Sequence, residues 1–254
     1  TDAWTEKAPF GRHVIKLPLR RAPSERALPA SPKRLTYNLD IMVKTPAPDV
    51  YSADLNSLSY VVFDTETTGL EPQNGDEICQ IAALRIVGGE MAENEKLDLL
   101  VNPGRNIPAS ATKIHHITNE MVKDAPSIRT AGSNFHSFAR GAVLVAHNAP
   151  FDLAFLRMHQ NEIGHAFDNP VIDTVLLSAI LFGQDEEHTL DAICERLGIT
   201  IPPELRHTAM GDTEATAQVF LKMMEMCRAR GLCTFEQLRG EMRKHGRLIK
   251  DLNS

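Results

Sequence analysis

The chain has 254 residues, enough to bury one substantial core with a small appendage. Its 43% apolar and 24% charged residues are ordinary for a soluble domain, and no apolar run approaches the roughly 18 residues of a membrane helix. The net charge of −6 argues against tight, extended, non-specific duplex binding, but not against a hydrolase whose carboxylates hold cations for a phosphate.

Residues 1–55 carry seven of the fifteen prolines and a single glycine, Gly11. Between Thr1 and Lys44, nine Lys/Arg stand against four Asp/Glu, and apolar residues come singly. This composition predicts a proline-rich basic arm or linker, followed by a folded domain over 56–232 and a C-terminal helix over 233–254. Cys79, Cys194, Cys227 and Cys233 form no Cys-x-x-Cys pair. Neither a zinc site nor a disulfide framework is expected, and a reducing cytoplasm is the default compartment.

The domain opens with a β-branched and aromatic run, Tyr60-Val61-Val62-Phe63, that ends in an acid. Strands follow over 78–87 and 96–101, with Gly88-Gly89 suggesting a hairpin. A helix is expected over 127–140, a buried strand over 142–146, a helix over 149–163 and a short strand at 171–172. Further helices are expected over 173–182, 190–197 and 212–230, and an amphipathic one over 235–252. Hairpin strands first and crossover helices afterwards predict an α/β domain with a mixed sheet covered by helices.

Three segments carry chemistry. In Asp64-Thr65-Glu66-Thr67-Thr68-Gly69-Leu70, a buried strand delivers two carboxylates at i and i+2, on one face of an extended chain. Their mutual repulsion is relieved by hard cations that prefer oxygen ligands. Taken alone, the segment reads more readily as a polar strand end entering a turn. His147-Asn148-Ala149-Pro150-Phe151-Asp152 leads into a helix, where an acid in the first turn is common for structural reasons. His207-x4-Asp212 places a histidine in a loop before another such acid.

Together, in this order and spacing, the segments resemble the DEDDh 3′→5′ exonucleases, the family of the proofreading subunit of bacterial replicative DNA polymerase and of RNase T. The resemblance covers about residues 58–230 and implies a ribonuclease H-like fold. It implies that Asp64, Glu66, Asp152 and Asp212 bind two divalent cations, Mg²⁺ or Mn²⁺, with Asp64 shared between them. It also implies that His207 is the general base. An imidazole, with an unperturbed pKa of about 6.5, suits that task near neutral pH. Thr67, Gly69 and Leu70 match positions that hold the terminal nucleotide, and His115 and Phe151 match base- or sugar-contacting positions. His116 departs from the family, which commonly has glycine there.

The implied partner is a single-stranded nucleic-acid 3′ end, DNA ahead of RNA, with no membrane. A polymerase or a fused neighbouring domain is a further candidate partner, although no short motif establishes one. The rival reading is a catalytically silent nucleic-acid-binding or scaffold module of the same fold; the presence of all four acids and the histidine argues against it.

Overall fold

A computed structural model of the protein describes residues 5–7, 13–15 and 49–253. Strands β1 (Thr5–Lys7) and β2 (His13–Ile15) pair antiparallel, Thr5 opposite Ile15. The rest of the expected arm up to residue 48 lies outside the described residues.

The second compact unit, Pro46–Ser254, is built on five strands: β3 (Ser59–Thr67), β4 (Ile78–Val87), β5 (Glu90–Leu100), β6 (Val143–Ala146) and β7 (Val171–Asp173). Their order is β5-β4-β3-β6-β7. The first three are antiparallel neighbours, while β6 runs parallel to β3 and β7 parallel to β6. This is the expected mixed sheet flanked by helices.

The two-residue period of β3 sorts its side chains into two cores. Tyr60 and Val62 pack with α6 (Thr174–Phe182), α8 (Ala209–Ala229) and α9 (Phe235–Lys244). Val61 and Phe63 pack on the other face with α3 (Ile128–Phe138) and α4 (Ala149–Met158). Both faces are thus covered, which is why β3 reads as a continuous apolar run before its acids. Among the described residues, no helix is long and apolar enough to cross a membrane.

Several boundaries differ from expectation. The long C-terminal core helix begins at Ala209, three residues before Asp212, because Thr208 caps it by accepting from the Gly211 amide. The helix expected over 149–163 breaks at His159 into α4 and the short α5 (Gln160–Ile163). Two short helices, α1 (Ala109–His115) and α2 (Asn119–Val122), go unread in the sequence. Each buries one side chain, so neither leaves a sustained apolar period.

The last helix ends at Lys244, eight residues before its expected end, because the tail turns back to the sheet edge. There the Asn253 side chain accepts from the Val171 amide at 2.8 Å and donates to its carbonyl at 2.6 Å. Residues 49–55, grouped with the arm by composition, bond to the start of α9. Leu55 donates to the Cys233 carbonyl, Phe235 to that of Ala53 and Glu236 to that of Tyr51, at 2.9, 3.2 and 2.8 Å. The ring of Tyr51 meets Phe235 edge-on at 5.6 Å.

Candidate active site

The period that places Tyr60 and Val62 against α8 also turns Asp64 and Glu66 to that side. Asp212, in the first turn of α8, meets them there. Asp64, Glu66 and Asp212 each bring a carboxylate oxygen to within 4.8 Å of the other two. The strand register shifts between Glu66 and Thr67, the kind of irregularity that re-aims side chains beside a site.

Thr65, between the two acids, serves the fourth. Its amide and its hydroxyl both donate to Asp152 Oδ1, at 3.0 and 2.5 Å. Asp152 sits in the first turn of α4 and is 2% exposed. That turn is anchored by Asp173, whose carboxylate accepts from the Ala149 amide at 2.7 Å and the Asn148 amide at 3.4 Å. The same side chain caps α6 through the Val175 amide at 2.8 Å.

Burial dominates the electrostatics. It pushes the Asp64 carboxyl well above the usual carboxylate range, and the charges of Asp152, Glu66 and Asp212 add to the effect. Glu66 is pushed up to about 8 by burial, then by Asp212 and Asp152. Asp152 rises to about 7, because burial outweighs the two bonds from Thr65. Asp212 is raised by burial against the pull of His207. Among the described residues, no lysine or arginine forms an ion pair with Asp64, Glu66, Asp152 or Asp212. Four crowded carboxyls that no lysine or arginine ion-pairs among the described residues, offering oxygen donors alone, fit hard divalent cations.

His207 is exposed and adopts a left-handed backbone, φ 55°. The loop beneath it is tightly made. Thr208 Oγ1 donates to the Leu205 carbonyl at 2.8 Å, and that carbonyl lies so close to Gly211 that a Cβ there would overlap it. His207 shares a cleft of about 320 Å³ with Asp64, His147, Thr189, Leu190, Asp191, Arg206 and Asp212.

The residues expected to hold a nucleotide are placed unevenly, and none lines that cleft. Leu70 is 78% exposed. Thr67 donates its hydroxyl to the Gly69 carbonyl at 2.6 Å, and Phe151 meets Phe155 edge-on at 5.2 Å. His115 is buried, its Nδ1 accepting from the Ile117 amide at 3.0 Å and its Nε2 lying 3.9 Å from Cys79 Sγ. His116 caps α1 in a left-handed conformation, φ 63°, which explains why glycine suits that position.

Asp173, which its place at the end of a short strand marks as an N-cap or supporting acid, does cap α6 and brace the turn that bears Asp152. Sequence reasoning missed the role of Thr65 in seating Asp152, and missed His147, Asp191 and Arg206 in the cleft; the signal for Thr65 was its place between two acids, where the strand period aims it at the opposite face.

The sequence matches the RNase_T family, described as Exonuclease, over residues 61–220. A DNA polymerase III subunit epsilon-like protein of Rhodobacter capsulatus is 54% identical over 100% of this chain and 37% of its own length. A PolC-type DNA polymerase III of Bacillus subtilis is 33% identical over 82% of this chain and 15% of its own. The chain therefore spans well under half of these curated relatives. The structure of Exonuclease X in complex with 5′ overhanging duplex DNA is similar at a TM-score of 0.55 and 26% identity, covering 72% of this chain and 99% of that one. The nuclease domain of 3′hExo, a DEDDh family member, shares the fold at a TM-score of 0.59 and 15% identity, covering 68% of this chain and 95% of that one.

Proposed function

The chain belongs to the RNase_T family of exonucleases, and from that premise we propose that it removes nucleotides from single-stranded 3′ ends, DNA ahead of RNA. The observation that carries this reading is the meeting of Asp64, Glu66 and Asp212 oxygens within 4.8 Å, with Asp64 and Asp212 lining a cleft that also presents His207. The preference for DNA rests on relatives that are DNA polymerase III proteins and on the duplex DNA of the Exonuclease X structure.

Asp64, Glu66, Asp152 and Asp212 would hold two divalent cations, Mg²⁺ or Mn²⁺. When bound, these supply positive charge to the attacking and leaving oxygens of a phosphodiester. Thr65 donates twice to Asp152 Oδ1, which would orient the carboxylate for a cation. His207 takes a proton from the attacking water at an imidazole nitrogen. The water oxygen bonds to phosphorus, the bond from phosphorus to the 3′ oxygen breaks, that oxygen takes a proton from solvent to become the new 3′ hydroxyl, and a nucleoside 5′-monophosphate leaves a strand shortened by one. Thr67, Gly69, Leu70, His115 and Phe151 are proposed to seat the terminal nucleotide. His115 does so indirectly, because its ring is committed to Ile117 and Cys79.

The test compares 3′-labelled and 5′-labelled DNA and RNA of one sequence, with Mg²⁺, with Mn²⁺ and with EDTA. Stepwise shortening of the 5′-labelled strand and immediate release of the 3′ label are expected, both abolished by EDTA. Full activity in EDTA would overturn the metal assignment, and release of a 5′ label first would overturn the polarity.

A further inference from the structure

Among the described residues, the cleft beside the acids holds one permanent cation. Arg206 is the only lysine or arginine among its lining residues, which include Asp64, Asp191 and Asp212. Its Nη2 donates to Asp191 Oδ2, joining the loop that bears His207 to the first turn of α7 (Leu190–Leu197). The two side chains are 42% and 51% exposed, so the pair meets solvent at the cleft, where ion pairs are weak and screened by salt. A guanidinium presents a planar fork that accepts two phosphate oxygens as readily as two carboxylate oxygens. A phosphate brought to Asp64, His207 and Asp212 enters the space that Arg206 lines.

We infer that Asp191 stands in for a phosphate: it holds Arg206 in the empty cleft, and the guanidinium exchanges it for a phosphate of the strand being trimmed. This rests on the proposed function, because it requires a nucleic-acid end in the cleft. The exchange swaps non-covalent partners and makes no covalent bond. Its effect is on affinity: only the fraction of molecules with Arg206 released is fully competent to bind. The pair thus screens against weakly held anions.

The two partners should therefore have opposite effects, which a strap that merely braces His207 would not produce. Asp191→Asn frees the guanidinium and is expected to lower KM for a short single-stranded DNA by about two- to fivefold. Arg206→Gln is expected to raise KM and to reduce the slope of log affinity against log salt by about one. Thermal unfolding is measured alongside, and Asp191→Ala replaces Asp191→Asn if the latter folds poorly. Shifts of KM in the same direction, or an Asp191→Asn protein with unchanged KM, would overturn the exchange. If the wild-type protein releases no nucleotide from any strand, the proposed function fails. The exchange is then read from anisotropy of a fluorescent single strand in Ca²⁺, where the same opposed shifts in Kd are expected.

Discussion

At the scale of single residues, His207, the proposed base, and Gly211, beneath its loop, can be told apart by experiment. His207 is exposed and lies outside the helix that fixes Asp212, so its side chain can be removed without displacing the elements that hold the acids. His207→Ala is expected to lower turnover by about 10²- to 10⁴-fold. Unfolding temperature and cation affinity, the latter read by calorimetry, should stay near wild type. Loss of cation binding would make the residue a ligand instead of a base. Gly211 offers the reverse case. A methyl group there overlaps the Leu205 carbonyl, so Gly211→Ala must displace the loop that carries His207. A stability loss of about 1–3 kcal/mol is expected together with lost turnover, both measurable on one preparation. An unchanged melting temperature would show that the loop gives way freely.

At the scale of elements, β3 and α9 matter most. Within β3, alternation puts Asp64 and Glu66 against α8 and lets Thr65 hold Asp152 from the opposite side. Thr65→Val keeps the shape and the amide bond but removes the hydroxyl donor. It is expected to cost about 1–3 kcal/mol, since a buried acceptor loses a partner, and to lower cation affinity by calorimetry. Unaltered affinity would assign Thr65 to folding alone. The α9 contacts recast the domain edges. Because residues 49–55 bond to the start of α9, deletion of residues 1–45 should leave the unfolding midpoint unchanged, whereas deletion of 1–58 should lower it. Equal midpoints would show that the pairing of 49–55 with α9 contributes nothing to stability.

For the whole molecule, the buried acids predict how pH and cations act together. Glu66 and Asp152 titrate at about 8 and about 7 when folded, above the usual values of 4.5 and 3.8. The folded protein therefore binds more protons than the unfolded chain between about pH 4 and 8. The contribution is fully present below the unfolded values and is lost as pH rises through the folded ones. In EDTA, the melting temperature is expected to fall between pH 6 and 8, a window set by those two groups. A cation that binds the ionised carboxyls releases protons, so Mg²⁺ should raise the melting temperature more at the upper end of the window than at the lower. A melting temperature in EDTA that rises across the window would contradict the burial of the four acids.

Legible in the sequence were the sheet-forming runs, the order of the strands and longer helices, and the three segments that carry the acids. Each is a local signal, in which the alternation of β3, an acid in a first helical turn, or the spacing of His207 and Asp212 is complete within a few residues. The tertiary structure alone decided that Thr65 and Asp173 seat Asp152, that residues 49–55 belong with α9, and that α9 stops so that Asn253 can reach β7. It also decided that Asp191 faces Arg206. Each of these is a contact between separate segments of the chain, made by polar groups of the backbone or side chains whose partners lie on another element. Hydrophobic period is blind to such pairs, because a hydrogen bond or an ion pair leaves no repeat in the sequence.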